Sequence, residues 1–338
     1  MSIPLQQKAL LSQAFGRGWK VGTKPVPRPE ANQVLVRIEA AGLNPVDWQM
    51  HTSGFDGAGV VVQVGDKVDE VEVGDRVLFE SDGSGPHTAT FQQYAIAYGD
   101  LVAKIPENIS FDQAASVPVA YATAGIGLYA PRQYQGGAGL TPPWEADGRG
   151  KYAKQPILIM GGSSGMGQAA IQFARLSGFD PIIVTVSPRN NDYVKSLGAT
   201  HTIDRSEPLS ALSATVSSIT KEPLKIAFDT LGQSDTQNAA YTALAPGGTL
   251  ITSASSYIWK SQGKEVVEPY GILHAPSHRA FGVGLLKSVT AWLESGEYKP
   301  NRVEYIPGGL AGIPNALDRM RRGQVSASRL IVRPPETV

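Results

Sequence analysis

Between Gln33 and Ala40 apolar and polar side chains alternate one by one, the pattern of a strand with one buried face. Val60 to Val64 is an apolar run entered through Gly57 and Gly59, and Lys67 to Val71 alternates again. Val73-Gly74-Asp75-Arg76-Val77-Leu78 sets a turn dipeptide ahead of a further strand, and Phe91 to Ile96 interleaves glutamines with apolar residues. Short strands at such spacing predict a barrel-like β domain in the first third of the chain.

The period then changes. Pro156 to Met160 is all apolar, as in a strand buried on both faces. Gly161-Gly162-Ser163-Ser164-Gly165-Met166-Gly167 follows, then a helical pattern through Ala169, Ala170, Phe173, Ala174 and Leu176, with Gly178 as its stop. Ile182 to Val186 is the next strand, and Tyr193, Val194 and Leu197 make a short helix ended by Gly198. Thr200 to Asp204, Leu224 to Phe228 and Thr249 to Ser253 continue as third, fourth and fifth strands. Alternation of this kind predicts an α/β Rossmann fold, a doubly wound parallel sheet. From Ala280 an amphipathic helix runs through Leu285, Leu286, Val289, Trp292 and Leu293, and Arg329 to Val332 reads as a last strand.

Length fits two domains: 338 residues are long for one core. Hydrophobic residues make 42% and charged residues 18%, as expected of an ordinary globular protein. Thirty basic and thirty acidic residues cancel, which removes the electrostatic case for nucleic acid or an anionic membrane. No apolar run is long enough to span a bilayer and the start lacks a signal-peptide core, so a cytoplasmic location is expected. With no cysteine, disulfides, thiolate nucleophiles, iron–sulfur clusters and cysteine-containing zinc sites are excluded.

A glycine-rich segment alone is weak evidence, since turns use glycine everywhere. Here it stands between a buried strand and a helix of one βαβ unit, where glycines admit a pyrophosphate to the backbone and the helix start offers free N–H groups. Gly162, Ser163, Ser164, Gly165 and Met166 are thus candidate phosphate-binding residues, the two serine hydroxyls as added donors. An NAD enzyme usually carries an acid at the end of the second strand. Here Val186 runs into Ser187-Pro188-Arg189-Asn190 instead, and Asp180 precedes the strand at the wrong edge of the sheet. Ser187 and Arg189, with Arg205 after the third strand, suit a 2′-phosphate and point to NADPH. Each arginine taken singly is more commonly a solvated surface side chain; the three groups together at adjacent strand ends decide for NADPH.

With these residues in hand, the chain resembles the medium-chain dehydrogenase/reductase superfamily over essentially its whole length. Ala41-Gly42-Leu43-Asn44-Pro45-Val46-Asp47-Trp48 is similar to a substrate-loop motif of quinone reductases and fungal enoyl reductases. Gly54 to Val61 resembles the family's glycine-rich strand entry, Gly74-Asp75-Arg76-Val77 its turn, and Ala115 to Gly125 its hinge helix. Ser187 to Asn190 and Lys195 to Ala199 look especially like fungal trans-acting enoyl reductases. The resemblance implies a discontinuous GroES-like β-barrel catalytic domain (1–120 and 280–338) and a Rossmann NADPH-binding domain (121–279), with the cofactor in the cleft between them. It sets Thr123 near the nicotinamide, and Asn190, Leu231 and Ser253 complete the expected cofactor-binding set. It also allows a homodimer paired along Rossmann edges, beside a monomer.

Zinc-dependent relatives carry a cysteine at the position of Asn44 and a histidine at that of Phe55, so a metal-free enzyme is expected. His51, His87, His201, His274 and His278 show no metal-binding helix spacing. Two features depart from the family: the segment Gln49 to Ser53 is short, and Gln49 stands where enoyl reductases often carry a lysine. Without zinc as Lewis acid, reduction of a conjugated C=C is easier than alcohol oxidation, because a hydrogen bond to the carbonyl oxygen can suffice. Asn44 is the expected donor or its organiser, Asp47 fixes the loop, and Tyr257 or Tyr129 stands as donor or acid against ordinary packing. The reading is a zinc-independent NADPH-dependent reductase of enones, enals, enoyl thioesters or quinones. Two rivals stay open: a zinc-free carbonyl or alcohol oxidoreductase, and a cofactor-binding protein without useful turnover. The extended turn-rich stretch Tyr129 to Tyr152 is assigned no role by sequence alone.

Overall fold

The computed structural model describes all residues except 1, 2, 13–17, 257, 259 and 262. The chain divides into two units, Met1–Val119 with Ile272–Val338, and Ala120–Gly271. The sequence sets the return to the first unit at 280, where the amphipathic pattern begins. The chain comes back eight residues sooner, at Ile272, through a turn that carries no periodicity.

The first unit opens with two antiparallel strands, β1 (Gln6–Ser12) and β2 (Trp19–Pro25). Its main sheet is built on β3 (Gln33–Gly42), whose alternating residues the sequence marks. After the short helix α1 (Pro45–Gln49) come β4 (Asp56–Val64), β5 (Arg76–Glu80), β6 (Tyr94–Tyr98) and β7 (Val102–Lys104). β3 pairs antiparallel with β4 through two register irregularities, which bend it as β-bulges do. Its other edge is shared, with β6 taking Gln33 to Arg37. The alternation at Lys67 to Val71 does not form a strand. Val68 N–H donates to Gly65 O and Lys67 N–H to Ala31 O, so the segment turns, with Val68 packed on the core and Val71 buried in it.

After α2 (Phe111–Ala114), helix α3 (Pro118–Tyr129) leads into the second unit, where β8 (Ile157–Met160), α4 (Gly165–Leu176) and β9 (Ile182–Val186) form one βαβ turn. α5 (Asn191–Leu197), β10 (His201–Asp204), α6 (Leu212–Ile219), β11 (Ile226–Asp229), α7 (Ser234–Ala243), β12 (Thr249–Thr252) and β13 (Glu265–Val267) complete it. The six strands lie parallel in the order β10-β9-β8-β11-β12-β13. Strand order reverses beside β8, the place where such sheets receive ligands at their carboxyl ends. β8, β9, β11 and β12 are buried at every residue, which is why they are mainly apolar.

The stretch 130–152 contains no helix or strand, yet it is not loose decoration. Trp144 meets Tyr129 edge to face with centroids 5.3 Å apart, and Tyr152 stacks on Phe179 at 4.8 Å. It seals apolar surface beside the end of α4 within the second unit.

The first unit resumes with α8 (Arg279–Ser295), β14 (Val303–Tyr305), α9 (Ile313–Arg321) and β15 (Arg329–Val332). β15 pairs antiparallel with Ala41 and Gly42 of β3 and parallel with β14, closing the sheet order β14-β15-β3-β4-β5-β7. Among the described residues no helix is long and apolar enough to cross a membrane.

Candidate functional site

At the carboxyl edge of the six-stranded sheet, the glycine turn is held from two sides. Gly161, at φ +78°, donates its N–H to Thr185 Oγ1 at 3.0 Å, and Gly162 donates to Thr185 O at 3.0 Å. A Cβ on Gly162 would stand 2.0 Å from Val184 Cγ1, and one on Gly167 would stand 2.4 Å from Gly161 O. These glycines permit close strand–helix packing, so Gly162 acts by shaping the turn.

Ser164 is the N-cap of α4: its Oγ accepts the Gly167 N–H at 2.9 Å and lies 2.8 Å from Thr230 Oγ1. Thr230 Oγ1 also lies 2.7 Å from Met160 O. Ser164 Oγ thus also serves as the cap of the helix. Ser163, Gly165 and Met166 are half-buried beside it, and the N–H groups of Gly165 and Met166 belong to the helix turn that has no intrahelical acceptor. The turn therefore fits a pyrophosphate, with backbone donors and the positive end of α4 facing one place.

Ser187, half-buried, and Arg189, exposed, follow β9, and Asn190 is buried in the same turn. Arg205 N–H donates to Val186 O at 3.0 Å, which brings the third-strand arginine to the end of the second strand. A small hollow next to it is lined by Met160, Thr185, Ile203, Arg205, Leu212 and Leu231. Asp204 borders the same hollow; hydrogen bonds from Ser206 hold its carboxyl below the usual range.

Sequence reasoning missed Asp229, which ends β11 fully buried. Its carboxylate accepts the Gly232 N–H at 2.9 Å and the Leu231 N–H at 3.4 Å, fixing the turn that presents Leu231, and burial pushes it up. Ser253 N–H donates to Asp229 O at 3.1 Å, so Leu231 and Ser253 meet at neighbouring strand ends. Thr123 lies in α3, buried, and Gly271 approaches it so closely that a Cβ would stand 2.4 Å from Thr123 Oγ1.

The second group of residues lies in the first unit. Asn44 is the N-cap of α1, and its backbone N–H donates to Asp47 Oδ2 at 2.7 Å. Asp47 is fully buried and also accepts from Thr52 Oγ1 at 2.7 Å, so it staples the short segment that follows α1. Burial raises its carboxyl to about 7. Asn44 Nδ2 donates to Asp56 Oδ2 at 2.9 Å, and the same oxygen receives Arg329 Nη2 at 2.6 Å. Asp56 Oδ1 receives the Val119 N–H at 2.7 Å. Burial pushes the Asp56 carboxyl up, opposed first by Arg329, whose guanidinium meets it as an ion pair. Asp56 lay inside a quoted motif, yet its role was invisible because its partner is 273 residues away.

The sites expected of zinc do not fit the metal. The cysteine position holds an amide already donating to a carboxylate, and the histidine position holds buried Phe55. His274 is also engaged, its Nε2 lying 2.9 Å from Glu80 O. Tyr129 is a packing residue: buried, 2.6 Å from Ser177 Oγ and donating to Phe173 O, with burial driving its hydroxyl further from ionisation. Tyr257 lies outside the described residues.

Two family models match: the alcohol dehydrogenase GroES-like domain over residues 30–107 and the zinc-binding dehydrogenase model over 165–285. A trans-enoyl reductase from Penicillium sp is 30% identical, covering 98% of this chain and 99% of its own. The enoyl reductase component of lovastatin nonaketide synthase from Aspergillus terreus is 29% identical, covering 98% of this chain and 97% of its own. Among solved structures, a quinone oxidoreductase from Coxiella burnetii shares the fold with a TM-score of 0.72 at 22% identity, covering 97% of this chain and 99% of its own.

Proposed function

Because this chain belongs to the medium-chain dehydrogenase/reductase superfamily, as an NAD(P)-dependent oxidoreductase without the zinc ligands, we propose that it reduces the C=C of an α,β-unsaturated carbonyl compound with NADPH. Enones, enals and enoyl thioesters are the substrate class, with quinones as related acceptors. The names of the trans-enoyl reductase relatives support this reading. The observation that carries it is the Asn44 amide, anchored on Asp56 at 2.9 Å where a zinc enzyme would hold a metal ligand.

The nicotinamide, when bound, supplies hydride. The chain's own residues then have two tasks. One is to hold the cofactor: the N–H groups of Gly165 and Met166 and the Ser163 hydroxyl would take the pyrophosphate, and Ser187, Arg189 and Arg205 would take the 2′-phosphate. Thr123, Leu231 and Ser253 border the remainder. The other is to receive charge. When the β-carbon of an enone gains hydride, negative charge builds on the carbonyl oxygen, and a fixed N–H donor lowers that barrier without proton transfer. Asn44 is this donor. Asp47, bonded to the Asn44 backbone, keeps the residue in place. Water delivers the proton to the α-carbon.

The test is consumption of NADPH and NADH with a panel of enones, enals, enoyl thioesters, quinones and saturated aldehydes. Turnover of conjugated substrates with preference for NADPH is expected. Turnover of saturated aldehydes alone would assign the protein to carbonyl reduction instead.

A further inference from the structure

We propose that the buried Arg329–Asp56 ion pair is the positioning and charge-balancing element behind Asn44, fixing which way its amide faces and cancelling the negative charge at its back. The inference rests on the reading of Asn44 as the donor to the substrate oxygen.

Three observations carry it. Asp56 is completely buried and Arg329 nearly so, and the two meet at 2.6 Å. Asp56 Oδ2 also accepts from Asn44 Nδ2, so the amide has one allowed orientation: turned over, its Oδ1 would face a carboxylate oxygen at 2.9 Å. The second N–H of Nδ2 is thereby the one free to donate elsewhere. The remaining Asp56 oxygen is occupied by the Val119 N–H at 2.7 Å, which leaves the carboxylate no room to swing away.

The charge follows from the same geometry. An ionised carboxylate directly behind a donor amide repels negative charge gathering in front of it, and that repulsion is little screened inside a protein. Arg329 supplies the opposite charge on the same oxygen, so the amide presents a dipole without a net anion behind it. β15, at the far end of the chain, thus contributes a residue that acts on the reaction through Asp56 and Asn44.

The experiment compares wild type, Arg329→Met, Arg329→Lys and the double variant Asp56→Asn/Arg329→Met. Each is judged per folded molecule by near-UV circular dichroism, with kcat and KM measured separately on an enone. The Asn44 side-chain amide is followed by nitrogen–proton correlation spectra without cofactor or substrate. Arg329→Met is expected to lower kcat about 100-fold, the scale of losing one aligned donor, with KM little changed. Arg329→Lys should lose no more than about tenfold, and the double variant should recover about tenfold over Arg329→Met, because the uncompensated charge is gone. The Asn44 amide signals should shift in Arg329→Met relative to wild type. Where Arg329→Met does not fold, Arg329→Lys against the double variant carries the comparison, the double variant being expected no more than tenfold below it.

Unchanged kcat in folded Arg329→Met, or a double variant no better than the single one, overturns the charge-balancing role. An Asn44 amide signal unaltered by Arg329→Met overturns the positioning role. Wild type that turns over no conjugated substrate counts against the Asn44 reading itself, and the amide spectra still decide the positioning claim.

Discussion

Asp56 and Glu80 are direct partners across the β4–β5 ladder, both are buried, and among the described residues Asp56 alone of the two is paired with an arginine. Glu80 Oε2 accepts the Leu273 N–H at 3.0 Å, while among the described residues Oε1 has no partner. Burial pushes the Glu80 carboxyl well above its ordinary range, and Asp47 rises to about 7 for the same reason. A carboxyl whose folded value is raised binds its proton more tightly in the native state than in the unfolded chain. Its stabilising effect is complete at acid pH and is lost as pH rises from the ordinary carboxylate range through the raised value.

Thermal melting temperature should accordingly fall between about pH 5 and pH 8 for these two groups. Glu80→Gln keeps an acceptor for Leu273 and cannot ionise. It should melt higher than wild type near pH 8 and no higher near pH 5. A difference between the two proteins that does not vary with pH would remove Glu80 from the account.

Gly167→Ala places a methyl group against Gly161 O, 2.4 Å away, at the turn that faces the expected pyrophosphate. Relief requires α4 to move off the turn, at a cost of about 1–3 kcal/mol. Cofactor fluorescence titration should show at least about a tenfold weaker Kd for NADPH, one factor of ten for each 1.4 kcal/mol of distortion passed on to binding. Unchanged affinity would mean that the turn does not contact the cofactor.

Arg189 and Arg205 stand at adjacent strand ends, linked by the Arg205–Val186 backbone hydrogen bond. Replacing both by alanine should weaken NADPH binding by about 100-fold, two charge-assisted contacts of roughly 1.5 kcal/mol each, and leave NADH nearly unchanged. Equal loss for both cofactors in isothermal titration would contradict the 2′-phosphate assignment. Asp204, ionised beside the same hollow, is the group that would then favour a free ribose.

Asn44→Ala removes the proposed donor. The kcat/KM for an enone should drop about 100- to 1,000-fold, with NADPH affinity retained. A smaller effect on kcat than on KM would show that Asn44 binds substrate and does not answer to charge in the transition state.

Much of the Rossmann unit was legible because its central strands are buried on both faces and leave mainly apolar runs, as β8 and β9 do. The three-residue strand β13 was not, since Glu265-Val266-Val267 gives no period to read. Lys67 to Val71 shows the opposite failure. Its alternation is real, but Val68 and Val71 are anchors of a turning segment held by Gly65 and Ala31. At the site, the glycine turn was readable from its place between strand and helix. The Ser164 contact with Thr230 was hidden because the two are 66 residues apart. Asn44 stood out in a motif, while the ion pair behind it joins β4 to β15 and has no local trace in sequence.

The most direct test of the central claim is the product formed from one enal and NADPH, in which C=C and C=O compete within a single molecule. Product analysis by nuclear magnetic resonance should find the saturated aldehyde, with the C=C reduced and the carbonyl intact. The allylic alcohol as sole product would contradict the account and assign the protein to carbonyl reduction.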